Sequence, residues 1–565
     1  MAQPYMIIPA QGSDQADEWL RLGVDAQVAG NLPLAQQRYQ QALRLDPRHA
    51  LAAQNLAVVF AQTPGLINDA LLAIERASMM DGVHGVIYTN HALMALEADR
   101  IEEALINAKK GVELSPPGME GNFARMAYAM ALTAAGSPQD SLPLYSHILD
   151  SEPTHPAAGP NSCFIQTLTN AKPKELLAQR QRWYAANVYK GEKRRHANNR
   201  KTDRPLRVGY VGGDFKCHSA AFIFGAVLLH HSPHVEMYLY CSLPVSPEND
   251  ARTKLFQAAC PNRWRDISTA SDEQVETQIR LDQIDILVDL AGHTNGGRLA
   301  LFTRKPAPIQ VTAWGFAHGT GCPEIDYFFA DPIAVPEAER QFYAEQIVDL
   351  PSIVTIDPPL EYSLKETSHA PLKKNGYITF GSYARYEKMS DSCLNTFSEI
   401  LRRVPDAKLE FKDHAYRRPY SIKRIQQLMS DIAPERLLFS MATTHPDHLL
   451  SYQQADICLD PFPHGGGVVA LEQLYMGVPL ITLYGTQPSG RSAASVLTCM
   501  GRQDWIARTP EEYVEKAVAL ADDVKTLTKV RTTLRKELLE SPAVKGYVEA
   551  VETVYKQIWE KWANS

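Results

Sequence analysis

An α-helical solenoid followed by two doubly wound α/β halves is the fold that the sequence predicts, and three observations predict it. Small and apolar residues recur with a period of about 34 across the first 160 positions. From Leu206 onward the pattern changes to short apolar runs, several closed by glycine, that alternate with helical stretches in two successive series. Three consecutive glycines, Gly465, Gly466 and Gly467, stand between the strand-like run "ADICL" and an amphipathic stretch beginning at Val468. A glycine-rich strand-to-helix turn belongs to βαβ architecture.

The repeats come first. Trp19, Leu22, Gly23, Ala26, Ala35, Tyr39, Ala42 and Pro47 follow the tetratricopeptide pattern position by position. Small residues let two helices touch, and the proline closes the second. The register returns at Ala70, Ile74 and Ala77 before Asp81-Gly82, at Ala104, Ala108 and Gly111 before Pro116, and at Ser141, Tyr145 and Ile148 before Pro153. Residues 1–160 therefore read as four helix pairs, a solenoid whose concave face either holds an extended peptide or serves only as a packing arm. A helical linker over 161–204 follows, ending in the basic stretch "YKGEKRRHANNRKTDRP".

Residues 205–370 read as one Rossmann-like half, with strands in "LRVGYVGGDF", "VEMYLYCSL" and "IDILVDLAG". Residues 371–565 read as a second, with strands in "GYITFGSY", "AKLEFKD", "RLLFSM", "ADICLDPF", "VPLITLYG" and "WIAR" and a C-terminal helix, "GYVEAVETVYKQIWEKWA". Open sheets of this kind bind ligands outside the carboxyl ends of their strands, so the crevice between the halves is the expected site.

Composition narrows the partners. The chain has 565 residues, 45% of them hydrophobic, and a net charge of −7, so no overall basic field draws it to nucleic acid or to anionic lipid. Eight scattered cysteines form no CxxC pair and no secreted disulfide framework. No run of about 18 apolar residues and no leader pattern occurs. A cytoplasmic protein without membrane contact is expected.

Several residues at strand ends can carry chemistry. The sequence has no Asp-x-Asp pair, HExxH or zinc-spaced Cys/His cluster, so no metal and no cofactor are expected, and any bound diphosphate must be neutralised by the protein. Lys388 and Arg385, just past a strand end in "FGSYARYEKMS", are candidate cations, or solvated surface charges. The Gly465–Gly467 turn suits an anion at a helix N-terminus, or only a tight turn. Glu472, five residues on, is placed where a carboxylate can accept ribose hydroxyls. His218, in "GGDFKCHS", can take a proton or orient a hydroxyl, or be structural. The loops "AGHTNGG" (291–297) and "AWGFAHGTG" (313–321) would line the same crevice.

With "GYVGGDFKCHS", "DILVDLAGHT", "KPAPIQVTAWGFAHGTG", "FGSYARYEK" and "LYMGVPLITLYG" in this order after the repeats, the chain resembles the O-GlcNAc transferase family, which includes SPINDLY-type protein O-fucosyltransferases. The resemblance implies a GT-B fold and an inverting, metal-independent transfer of a sugar from a nucleotide donor to protein Ser or Thr hydroxyls. UDP-GlcNAc is the favoured donor and GDP-fucose the alternative; a catalytically weak scaffold that binds nucleotide and protein is a further one. The acceptor, a protein or peptide, would run along the repeat groove.

The same resemblance assigns His218 as the active-site histidine and Lys388 as the cation on the departing diphosphate. Glu472 falls on the ribose, Thr443, His445 and His448 on the nucleobase, and Thr294, Trp314 and Gly315 on loops beside the sugar. Arg385 stands where the O-GlcNAc branch has glutamine. Where animal enzymes carry His-Thr-Thr-Gly at the diphosphate, this chain has Gly467, Val468, Val469 and Ala470, which leaves backbone amides only. "GHT" at 292–294 and "FGSY" at 380–383 look closer to the fucosyltransferase branch.

Overall fold

The computed structural model describes residues 5–9, 12, 14–80, 84–358 and 370–565. The chain divides into two compact units, Met1–Ala158 with Arg418–Arg424, and Gly159–Arg417 with Ile425–Ser565.

The first unit is built from α1 (Gln15–Val28), α2 (Leu32–Leu45), α3 (Ala50–Ala61), α4 (Ile67–Ser78), α5 (Gly85–Glu97), α6 (Ile101–Leu114), α7 (Met119–Ala134) and α8 (Pro138–Ser151). Consecutive helices pack in four pairs, as the repeat predicts. Asp14 caps α1 by accepting from the Asp17 N–H, and Asn31 caps α2 through Leu34. The repeating positions Ala35, Tyr39 and Ala42, Ala70, Ile74 and Ala77, Ala104 and Ala108, and Tyr145 and Ile148 are all buried. Asp81 and Gly82, part of the second register, lie outside the described residues.

The second unit opens with α9 (Ala158–Gln166) and α10 (Pro173–Asn187). The linker expected to be helical over 161–204 has no helix after Asn187. Residues 188–205 carry clustered Lys and Arg and no apolar stripe to bury, so nothing rewards a helix there. They are pinned instead by Asn198 and Arg204, which donate to the buried Asp285 carboxylate at 2.7 to 3.0 Å.

Two all-parallel sheets follow. The first holds β1 (Leu206–Gly212), β2 (Val235–Cys241), β3 (Trp264–Asp266), β4 (Ile286–Asp289), β5 (Ile309–Thr312), β6 (Tyr327–Ala330) and β7 (Gln346–Asp349), in the order β3-β2-β1-β4-β5-β6-β7. Its crossovers include α11 (Ser219–Leu228), α12 (Ala251–Ala259), α13 (Asp272–Leu281) and α14 (Leu299–Thr303). The second, after α15 (Leu372–Asn375), holds β8 (Thr379–Ser382), β9 (Lys408–Lys412), β10 (Leu437–Ser440), β11 (Ile457–Leu459), β12 (Leu480–Leu483) and β13 (Ile506–Ala507), in the order β10-β9-β8-β11-β12-β13. Between them run α16 (Asp391–Arg403), α17 (Pro419–Leu428), α18 (His445–Ser451), α19 (Val468–Tyr475) and α20 (Ser492–Cys499), and after β13 come α21 (Pro510–Asp522), α22 (Val524–Glu540) and α23 (Tyr547–Ala563). The central strands β4 and β8 are buried throughout, which is why they read as unbroken apolar runs.

In both sheets the chain starts at the centre, winds outward, and returns to the other side of its first strand. The switch points lie between β1 and β4 and between β8 and β11, where a crevice opens at the carboxyl ends. Both are built alike. Asp285 at the foot of β4 accepts from the Arg207 N–H of β1, and Asp456 at the foot of β11 accepts from the Thr379 N–H of β8. At the opposite ends the buried Asp289 and Asp460 each accept from a glycine N–H of the following loop and from a threonine on the next strand, Thr312 or Thr482. The two carboxylates stand four positions apart in each half, so one device aligns the sheet and shapes the ligand-side loop in both.

The expectation that 371–565 forms a half of its own needs one correction, because α23 packs back on the first sheet. Its apolar face, Val551, Val554, Tyr555, Ile558 and Trp559, is buried there. Tyr555 lies 3.1 Å from the Tyr210 hydroxyl of β1, and Glu552 accepts from Ser232 and pairs with His231. The stripe seen in the sequence is real, but its partner is the sheet more than 200 residues upstream.

Candidate active site

The glycine turn follows β11. A Cβ on Gly465 would stand 2.7 Å from the Asp460 carboxylate, and one on Gly466 3.1 Å from it, whereas one on Gly467 would meet nothing within 4 Å. Two of the three glycines thus let the chain fold over Asp460, whose Oδ1 accepts from the Gly466 N–H at 2.7 Å. The third leaves the start of α19 open. Among the described residues no side chain caps α19, so its first-turn N–H groups, from Val468 and Val469 onward, are left for an outside acceptor.

Lys388 lies in the turn after β8, and its Nζ donates to the Gly465 carbonyl at 2.8 Å. Ser390 ties the same turn to β11 by donating to the Phe462 carbonyl at 2.7 Å. Burial, with the neighbouring Arg385 charge, pulls the Lys388 ammonium down to about 7, while Asp460 and Glu387 oppose the fall. Asp460 is pushed up to about 6 by its own burial, against the bonds from Thr482 and Gly466 and the Lys388 charge. The fold therefore holds a cation against the glycine turn and the uncapped start of α19 at an electrostatic cost, a condition under which an incoming anion would gain. Arg385 is half exposed, pairs with Glu387 at 3.2 Å and lies over the Phe164 ring.

On the opposite sheet, His218 caps α11 after the end of β1. Its Nδ1 lies 3.3 Å from the Ala220 N–H and 3.4 Å from the Asp214 carboxylate. The two contacts compete for Nδ1: accepting from the Ala220 N–H puts the neutral ring's proton on Nε2, whereas a proton on Nδ1 facing Asp214 leaves Nε2 as an acceptor. Burial pulls the imidazole below its ordinary value, with Asp214 opposing and Lys216 and Arg385 assisting. Phe222 of α11 stacks on His445 at 4.2 Å and α11 packs on α19, so the carboxyl ends of the two sheets face one another.

The remaining residues assigned from the resemblance lie in distinct environments. Glu472 is buried, and both oxygens have protein partners: Oε1 accepts from His445 Nε2 and Oε2 from the Tyr452 hydroxyl, each at 2.8 Å. His448 in turn donates to Tyr452 at 2.8 Å, and His445 stacks on Phe222 of α11 at 4.2 Å. The carboxylate is thus the hub of a fixed network and keeps only its second lone pairs for a ligand. Thr443 is exposed at the mouth of the same loop. The Thr294 hydroxyl donates to the Ala291 carbonyl at 2.7 Å and closes its own loop.

Trp314 is 3% exposed and donates through Nε1 to the Tyr547 hydroxyl of α23 at 3.1 Å, so its side chain is packed into the body of the protein. Gly315 is dictated by packing, since a Cβ there would stand 1.6 Å from the Leu290 carbonyl oxygen at the end of β4. Gly315→Ala is expected to cost about 1–3 kcal/mol and to lower the melting temperature by several degrees. An unchanged thermal melt would show that the loop yields freely.

Sequence reasoning missed three residues. Asp460 was legible as the partner of Asp289 in "IDILVDL" and "ADICLDP". His464, in the turn itself, lies 3.1 Å from the Thr167 hydroxyl through Nδ1, and burial pulls it well below its ordinary value, with the Lys388 charge acting in the same sense. His318, 2% exposed in the loop after β5, has neither ring nitrogen hydrogen-bonded among the described residues. No pattern in the sequence marks either histidine as buried. Among the described residues no cluster of three or more His, Cys, Asp or Glu could hold a metal ion, and no helix is long and apolar enough to cross a membrane.

Two doubly wound parallel sheets whose switch points face each other, with a glycine-rich turn between them, define the GT-B class. The chain belongs to glycosyl transferase family 41, whose model matches residues 156–358 and 363–551. It is 33% identical over 381 residues to a probable UDP-N-acetylglucosamine–peptide N-acetylglucosaminyltransferase SPINDLY of Solanum lycopersicum, a match covering 65% of this chain and 40% of that protein. It is 29% identical over 371 residues to the probable transferase SEC of Arabidopsis thaliana, covering 63% of this chain and 37% of that one. The matched stretch is thus about two-fifths of these curated relatives. A mutant O-GlcNAc transferase of Thermobaculum terrenum shares the fold, with a TM-score of 0.75 at 24% identity over 98% of this chain and 99% of that one.

Proposed function

We propose that this protein transfers a sugar from a nucleoside-diphosphate donor, UDP-GlcNAc in the first instance, to Ser or Thr hydroxyls of proteins, with inversion and without a metal. The observation that supports this best is Lys388 held on the Gly465 carbonyl beside the uncapped start of α19. Charge grows on the diphosphate as the glycosidic bond breaks, and a preorganised cation with backbone amides stabilises it without rearrangement. The donor sugar would face the first sheet, where His218 Nε2 accepts or orients the acceptor hydroxyl. Attack from the face opposite the leaving group inverts the anomeric carbon in one displacement. The His445, Glu472 and Tyr452 network would hold the nucleoside, and the repeats would present the acceptor peptide.

The test is an incubation with EDTA and a mixed protein acceptor against UDP-GlcNAc and GDP-fucose separately, following free nucleoside diphosphate and intact protein mass. Release with UDP-GlcNAc and a mass gain of one sugar on the acceptor are expected. Release with GDP-fucose alone would reassign the donor, and silence with both would replace transfer by a binding role. His218→Ala is expected to lower transfer about 10²–10⁴-fold while leaving UDP affinity within about twofold of wild type. Unchanged turnover would remove it from the mechanism.

A further inference from the structure

The basic stretch ahead of β1 has no part in the transfer reading, yet it is held in place. From Lys190 to Arg204 seven residues are Lys or Arg and two, Glu192 and Asp203, are acidic, in a chain whose net charge is −7. A run of like charges with neither helix nor strand ordinarily stays solvated and loose. This one is pinned at intervals along its length. The Tyr189 N–H donates to the Thr303 hydroxyl at 2.9 Å, Asn198 Nδ2 donates to the Gln283 and Ile284 carbonyls at 3.2 and 3.0 Å, and the Lys201 carbonyl accepts from Trp559 Nε1 at 3.2 Å. Arg200 donates to the Ala563 carbonyl at the end of α23 at 3.4 Å.

The pins gather cations instead of separating them. The Arg280 guanidinium of α13 donates to the carbonyls of Arg194 and Arg195, each at 3.4 Å, and to that of Lys305 at 3.1 Å. His196 lies among these charges and is pulled down to about 4 by burial and by Arg280 and Lys305, against Glu276. The carboxylates nearby are already spent. Glu276 pairs with Arg280 and Arg304, Asp285 with Arg204, Glu324 with Lys193 and Asp326 with Lys305, at 2.5 to 3.1 Å. Lys190, Arg194, Arg195 and Lys201 are exposed, and among the described residues none of the four has a carboxylate partner.

A fixed cationic strip without counter-charge suits a polyanion, because its main chain needs no ordering when the partner arrives. The rings beside it decide which polyanion. Tyr189, Trp559 and Trp562 are covered by the guanidinium groups of Arg304, Arg204 and Arg200, at 4.0, 5.0 and 4.6 Å from the ring centres. Among the described residues these rings are thus already occupied and do not stand free to stack a base or to enter a lipid interface. The remainder of the chain is net acidic, which opposes approach to the extended field of a nucleic acid or an anionic membrane. A short acidic segment meets the strip alone. We infer that residues 190–201 form a docking strip for an acidic polypeptide segment of a partner protein. The strip lies at the amino ends of β1 and β4, and the seven residues of β1 set it roughly 20 Å from the carboxyl ends where His218 stands. Docking there leaves the crevice free, so the inference needs neither donor nor chemistry.

The test is the anisotropy of a fluorescein-labelled decaglutamate peptide titrated with the full chain. Binding is expected at about 50 mM salt and is expected to weaken at least about tenfold at about 300 mM, as screening of exposed charges requires. Arg194→Glu with Arg195→Glu is expected to weaken it at least about tenfold with an unchanged thermal melt, since the segment is pinned through the carbonyls of these residues and not through their side chains. Lys190→Glu with Lys201→Glu reverses the same number of charges on the same strip and carries the same expectation. Lys373→Glu with Lys374→Glu on α15 makes an equal change of net charge elsewhere and is expected to weaken binding less than about threefold. Equal losses in the strip and α15 variants would show that net charge alone attracts the peptide, and would overturn the strip, as would the absence of binding at the lower salt. An oligothymidylate of about twelve nucleotides and vesicles containing phosphatidylserine are expected to bind more weakly than decaglutamate. Tighter binding of either, lost when Arg194 and Arg195 are reversed, would overturn the acidic polypeptide as partner in favour of a nucleic acid or a membrane.

Discussion

Replacing Lys388 with alanine is expected to lower transfer about 10²–10³-fold while leaving the melting temperature no lower than wild type. The two halves of that expectation have one cause. An ammonium pulled down to about 7 by burial and by Arg385 is one the fold disfavours charging. The unfolded chain keeps a lysine near its ordinary value and so binds more protons between about 7 and 10, which makes stability rise with pH across that window. Removing the group removes the dependence and its penalty, at the loss of one bond to the Gly465 carbonyl. In the transition state the balance reverses, because the growing charge on the diphosphate needs the cation that the empty crevice resists. Parallel turnover and thermal-melt measurements on Lys388→Ala separate these effects. Turnover within about tenfold of wild type, well short of the loss typical for such a donor, would show that the amides of α19 suffice.

The positions of the site were legible for a topological reason. Strands buried on both faces read as continuous apolar runs, so β1, β4, β8 and β11 could be placed, and with them His218, Lys388 and Gly465–Gly467 at their carboxyl ends. The strands β3 and β7, which are partly exposed, were not named, nor was the buried β6. What the glycines do was only half legible. Gly465 and Gly466 serve the turn over Asp460, and Gly467 alone stands open, so both readings of that stretch hold at neighbouring residues.

Contacts that join distant segments were not legible at all. The amphipathic stripe of α23 gives its own face but not the sheet that receives it, and the side chain of Trp314 is turned inward by Tyr547 of that helix. Likewise Glu472 could be marked as a buried-helix carboxylate beside the turn, yet its bonds to His445 and Tyr452 depend on how α18 sits on α19. The bonds of the Met6 and Ile8 main chain to Asn90 and Asn55 are a case of the same kind, since nothing in "YMIIP" announces them.

Binding of UDP is expected to weaken as pH rises from 7 to 9, by up to about 50-fold. With the Lys388 ammonium at about 7, roughly half of the empty sites are charged at pH 7 and about 1% at pH 9. The diphosphate beside Nζ favours the charged form, so the bound state keeps the proton that the empty site has lost. Binding must then take up about half a proton at pH 7 and nearly a whole one at pH 9. The terminal phosphate, with a value near 6, is already ionised across this window and contributes little to the slope. Titration calorimetry in two buffers of different ionisation enthalpy reads the affinity and the proton uptake together. Lys388→Arg, whose guanidinium does not titrate here, is expected to bind with a flat profile. A wild-type affinity that is level from pH 7 to 9 with no proton uptake would mean that Lys388 is not at the diphosphate, and the charge on the leaving group would then rest on Arg385 and the α19 amides.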